Sequence, residues 1–166
     1  LSNFETNQGY KDRQDPSLTL IFPLNTDEAK FKDTSILVWT TTPWTLYSNF
    51  CIVVGPDMND NLVEQDGKKY WIAASRTAAY FKNPNIVDTC KGSELVGKDY
   101  EPVSRISDAF VTPDQLSRHY KIYPADYVST EDGTGAVHTA PSFVFLEGGR
   151  LPLAPVSPGL RRRKGW

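Results

Sequence analysis

Trp39-Thr40-Thr41-Thr42-Pro43-Trp44-Thr45-Leu46 continues a run of β-forming residues that starts at Ile36-Leu37-Val38. Four consecutive apolar residues leading into three threonines read as a buried strand with a polar end. Pro43 stops that strand, because it supplies no backbone N–H, and it drives Thr42 toward extended backbone. The result is a row of hydroxyls at a strand end, each able to donate and to accept. On the residues alone a plainer account is favoured, a Thr-rich strand closed by a Ser/Thr turn, since local hydrogen bonding of this kind is common.

Outward from this stretch the chain reads as short strands punctuated by Pro and Gly. Residues 18–22 form one strand that ends at Pro23, and residues 51–54 form another that ends at Gly55-Pro56. Residues 62–64 and 69–72 flank Gln65-Asp66-Gly67-Lys68, a hairpin signal. Residues 86–89, 121–123, 127–130 and 136–139 complete the expected strands. Residues 73–81 are the best helix candidate, with Ser75 as its cap and Asn83-Pro84 as its stop. Many strands and little helix predict a mainly β fold with short helices, barrel-like in its core.

Composition sets the remaining bounds. A chain of 166 residues, 39% hydrophobic and 23% charged, is one globular domain in size and character. It has no apolar run near the roughly 20 residues of a membrane helix, so no membrane partner is expected. It does not begin with Met and reads as an excised segment. Cys51 and Cys90 lack metal-ligand spacing and are expected as free buried thiols, with no metal and no cofactor. Five of the 18 bases, Arg150, Arg161, Arg162, Arg163 and Lys164, lie from Arg150 onward, where there is no acid. The preceding body is therefore acidic and repels a polyanion at long range. Residues 144–166, basic and Pro-rich without apolar period, are expected to form a flexible or non-native tail behind a domain of residues 1–143.

The second motif is Glu131-Asp132-Gly133-Thr134-Gly135-Ala136-Val137-His138-Thr139-Ala140-Pro141-Ser142-Phe143. A Gly-Thr-Gly turn feeds a short apolar strand that carries a His. Taken alone, His138 is better read as a satisfied core histidine, and Gly-x-Gly without a following helix is weak evidence for phosphate binding.

Together the two motifs resemble the isoleucyl-tRNA synthetases, whose editing (CP1) domain carries segments of the forms WTTTPWTLPSN and GTGxVHTAP. Residues 39–49 match the first form at all but one position, and residues 133–141 match the second throughout. Thr42-Pro43-Trp44 separates this chain from the valyl and leucyl enzymes, which place Arg-Pro after the threonines. The signatures of the amino-acid-activating site are absent, so aminoacylation is not expected of this segment.

The resemblance implies a class I synthetase editing domain, working in the cytoplasm within its parent synthetase on the acceptor end of tRNA(Ile) carrying valine. It implies hydrolysis of the mischarged valyl ester, and of valyl-adenylate in addition. The alternative is an acceptor-end binding module that has lost hydrolysis through its altered C-terminus. By motif position, Thr40, Thr41, Thr42 and Asn49 are the catalytic set that holds substrate and water, and His138 walls the side-chain pocket. Trp39 borders the substrate, although Trp39 and Trp44 are first of all expected to pack. Two departures stand out. Tyr47 replaces the family's Pro. Glu147 falls, by count from His138, where the family has an Asp that binds the substrate's ammonium group, but its surroundings differ from the family's.

Overall fold

The structure, a computed structural model, describes residues 17–140. The expected boundary at residue 143, the 144–166 segment and Glu147 lie outside the described residues.

Within them the strands are β1 (Leu18–Asn25), β2 (Thr34–Thr40), β3 (Cys51–Val54), β4 (Asn59–Gln65), β5 (Lys68–Ala73), β6 (Asn85–Lys91), β7 (Asp99–Tyr100), β8 (Lys121–Pro124) and β9 (Ala136–Thr139). They form one mixed sheet in the order β6-β4-β5-β2-β1-β7-β8-β3-β9. The fold is mainly β with short helices. Strand β1 pairs antiparallel with β2 through residues 18–23 and with β7 through Leu24 and Asn25, so it carries the sheet from one half to the other. At the far end of the order, β9 returns beside β2. The arc from β2 to β9 therefore curls into a barrel-like wall, and β4, β5 and β6 extend from it.

The burial pattern explains why several strands read as continuous apolar runs. In β2, Ile36 and Val38 enter the main core with Phe22, Ile52, Trp71 and Ile122, while Leu37 points the other way, onto Val63 and Ile72. That second face is roofed by Tyr80 and Phe81. A strand covered on both faces needs no polar alternation. Strand β3 is the same case: Ile52 and Val54 fill the main core, and Cys51 and Val53 pack with Phe50, Ala125 and Val128. The Asp66-Gly67 hairpin forms as expected, with φ of 53° and 74° at its two central residues, both in the left-handed region that a two-residue turn of this hand requires.

Two expectations are corrected. Residues 127–130 are not a strand; a hydrogen bond from Ala125 N to Val54 O ends β8, and the chain turns so that Val128 can cap the smaller cluster. The 73–81 helix shrinks to a 3-10 turn at Ala74–Arg76 and one α turn at Thr77–Tyr80, and Ser75 makes no cap, because Ala73 is spent in β5. What this short segment supplies instead is Arg76. Its guanidinium donates to Gly133 O at 2.8 Å and to Glu131 O at 2.9 Å. Ala73 N donates to Thr134 O at 2.9 Å. The Gly-Thr-Gly loop is thus pinned to the end of β5, close enough that a Cβ on Gly135 (φ +83°) would lie 2.4 Å from Ala73 Cβ.

Gly135→Ala is expected to cost about 2–4 kcal/mol in denaturant unfolding, from backbone strain and overpacking together. Gly67→Ala, also at positive φ but with open space around it, should cost only the backbone part, about 1 kcal/mol. Equal costs would mean that the close approach to β5 does not constrain the loop.

Asp60 in β4 is 5% exposed, and burial pushes its carboxyl up to about 7. A folded pKa above the unfolded one means that the stabilising contribution is fully present below about pH 4 and is lost as pH rises through about 7. Asp60→Asn should therefore raise stability at pH 8 by about 2–4 kcal/mol and change little at pH 4. Unfolding curves at the two pH values check this.

Candidate functional site

Strand β2 ends at Thr40, and a 3-10 turn, Pro43–Ser48, takes the chain to β3. Pro43 opens this turn, where its missing N–H costs nothing. Thr42 takes φ −124° and ψ 60°, short of the fully extended backbone expected before proline, because its carbonyl already accepts from Thr45 N at 3.0 Å.

The turn organises the hydroxyls. Thr40 Oγ1 accepts from Thr42 N at 3.0 Å and lies 3.3 Å from Thr42 Oγ1. Thr42 Oγ1 lies 3.3 Å from Thr45 Oγ1, which donates to Thr42 O at 2.7 Å. Thr45 Oγ1 in turn lies 3.0 Å from His138 Nε2 on β9. A continuous chain of polar contacts therefore runs from exposed Thr42 to His138, which is 7% exposed. Burial lowers the His138 pKa, so at neutral pH the ring is uncharged.

The structure brings Thr40, Thr42 and His138 together and leaves three expected site residues apart from them. Thr41 is exposed on the turn. Asn49 is 1% exposed; its amide donates to Cys51 O at 3.3 Å and accepts from Tyr100 OH at 2.5 Å, so both of its polar atoms are engaged at the start of β3. Trp39 points to the opposite side of β2 and packs on the Gly133 backbone. It borders a cleft of about 350 Å³ with Tyr127, Glu131, Asp132 and Val137. The expectation that Trp44 packs is corrected: it is 65% exposed, as is Tyr47 at 64%. Residues three apart eclipse in a 3-10 turn, and here Thr45 and Leu46 take the buried face. Tyr47, in place of Pro, therefore sits in solvent without opening the turn.

Thr45 is the residue that sequence reasoning passed over. It stands inside the quoted motif, three positions after Thr42, a spacing that a 3-10 turn stacks over Thr42. Burial pushes the Cys51 and Cys90 thiols up to about 12, so neither supplies a thiolate near neutrality. Among the described residues no group of three or more His, Cys, Asp or Glu could hold a metal ion.

No protein-family model matches the chain. Its sequence is 38% identical over 143 residues to the isoleucine–tRNA ligase of Picrophilus torridus and 41% identical over 143 residues to that of Thermoplasma acidophilum. Each match covers 86% of this chain and 13% of the relative, so the chain spans only a small part of the length of the curated relatives it matches. In fold it is similar to the cytosolic leucyl-tRNA synthetase editing domain of P. knowlesi, with a TM-score of 0.54, 14% identity, and coverage of 75% of this chain and 58% of that one. The chain thus belongs, as one segment, to the isoleucine–tRNA ligase family and has the fold of a synthetase editing domain.

Proposed function

We propose that this chain is the editing domain of an isoleucyl-tRNA synthetase and hydrolyses the ester that joins valine to the 3′ end of tRNA(Ile), and valyl-adenylate in addition. The observation that carries the reading is the contact between Thr45 and His138, which joins the two motifs across 93 residues of sequence. The parent enzyme, the tRNA(Ile) acceptor end and a cytoplasmic setting belong to the same proposal.

The chemistry follows from selectivity. One missing methylene is worth only about 1–3 kcal/mol to a hydrophobic pocket, a limit for which isoleucyl-tRNA synthetase is itself the standard illustration. A second site must then admit the smaller product and exclude the larger. An aminoacyl ester is already activated, so the main tasks are to place a water and to fix the carbonyl. Thr42, exposed at the mouth of the hydroxyl chain, and Thr40 beneath it are the groups that hold that water; Thr41 binds from the solvent side. Asn49 serves by fixing the turn. The elevated thiol pKa values leave the water, not a cysteine, as nucleophile. His138 stands at the inner end of the chain as the steric limit on the side chain.

His138→Ala in the parent enzyme should therefore open the pocket. Isoleucyl-tRNA(Ile) is expected to be deacylated at least about 10-fold faster, in line with what a methylene-sized clash is worth, while valyl-tRNA(Ile) is still cleaved. If His138 were a general base, both rates would fall by about 10²–10⁴-fold, and if neither rate moved, His138 would be an ordinary core histidine. Single-turnover deacylation of both charged tRNAs separates the three outcomes.

The acidic body implies weak binding of tRNA by the chain alone, and the binding that its bases do provide falls with salt. Filter binding across a salt series checks this, and tight binding at high salt would refute the charge argument.

A further inference from the structure

We propose that Thr45 is a positioning residue that holds His138 in the neutral tautomer with its proton on Nε2. The Thr45 hydroxyl has one proton and three candidate acceptors, Thr42 O at 2.7 Å, His138 Nε2 at 3.0 Å and, farthest, Thr42 Oγ1 at 3.3 Å. If it donates to the carbonyl, its oxygen receives Nε2–H and Nδ1 is left as an acceptor. If it donates to Nε2, the ring proton sits on Nδ1.

Nδ1 is buried without a hydrogen-bond partner. The second arrangement therefore strands an N–H donor in the interior, whereas the first leaves only an unused lone pair. Orphaned buried donors are rarer than under-used acceptors. The shortest of the Thr45 hydroxyl contacts is also the one to the carbonyl. Both arguments select Nε2–H. The other hydroxyls agree with it: Thr40 can donate to Thr42 and Thr42 to Thr45, each across 3.3 Å, with the last proton on the Thr42 carbonyl.

The tautomer has a consequence for the site, which rests on the function proposed above. With Nε2 committed to donating and Nδ1 shut away, the ring has no basic nitrogen facing the hydroxyls. It is a wall of fixed orientation, and Thr45 is what fixes it. The lowered basicity of the buried ring acts in the same direction.

The test is long-range 1H–15N NMR of the full chain, labelled in the histidine rings, at neutral pH. The chain has two histidines, and His119→Asn assigns the signals. His138 is expected to show a protonated, pyrrole-like Nε2 and a bare, pyridine-like Nδ1. Thr45→Ser should keep that separation, and Thr45→Val, which keeps the shape but not the hydroxyl, should draw the two shifts together. A pyridine-like Nε2 in the wild-type chain, or a Thr45→Val spectrum identical to wild type, overturns the proposal. If Thr45→Val does not fold, the wild-type spectrum decides alone. Failure of deacylation in the presence of the expected spectrum would remove the editing reading and leave the tautomer in place.

Discussion

Strand β3 lies parallel to β8 on one side and antiparallel to β9 on the other, and all four of its side chains are buried. Backbone bonds from Phe50 N to Thr139 O at 2.7 Å and from Tyr120 N to Phe50 O at 2.8 Å extend both pairings by one residue. A strand so enclosed cannot slip. Moving the β3–β9 register by one position would put Val137 in place of His138 and turn the polar ring to the opposite face. The pairing of Ile52 with His138 thus determines what the hydroxyl turn meets, because the turn leads directly into β3.

The turn shows how a local motif and a distant one become a single site. Most of its hydrogen bonds are the short-range bonds of a Ser/Thr turn: Thr42 N to Thr40 Oγ1, Thr45 Oγ1 to Thr42 O, and Ser48 Oγ to Thr45 O. The plain account of the threonines and the functional one are therefore compatible. The Thr45 oxygen, with its own proton directed at a carbonyl, keeps a lone pair for a partner from elsewhere in the chain, and β9 delivers one.

Polar contacts around this arrangement constrain it. Asn49 and Tyr100 satisfy each other in the core, which ties the start of β3 to β7. Arg76 spends its guanidinium on two loop carbonyls and so fixes where β9 begins. An unmet buried polar group is costly, so the Asn49–Tyr100 pair restricts where the turn can sit, while the Arg76 bonds, nearer the surface, hold the loop.

Much of the fold was legible in the residues. The apolar runs of β2 and β3, the Asp66-Gly67 hairpin and a strand end ahead of Pro43, which falls at Thr40, each follow from steric or hydrogen-bonding rules that act over a few residues. The helix at 73–81 and the strand at 127–130 were misread because their outcome depends on partners elsewhere: Ala73 is taken by β5 pairing, and Val128 by the cluster around Phe50. The site divided in the same way. That threonine hydroxyls gather at a strand end follows from Thr40-Thr41-Thr42-Pro43 itself, since proline stops the strand and short side chains bond to nearby backbone. Which of those hydroxyls faces His138, and that Trp39 and Asn49 face elsewhere, follows only from sheet register and the 3-10 turn. Those are set by long-range pairing and burial, which no local stretch of sequence contains.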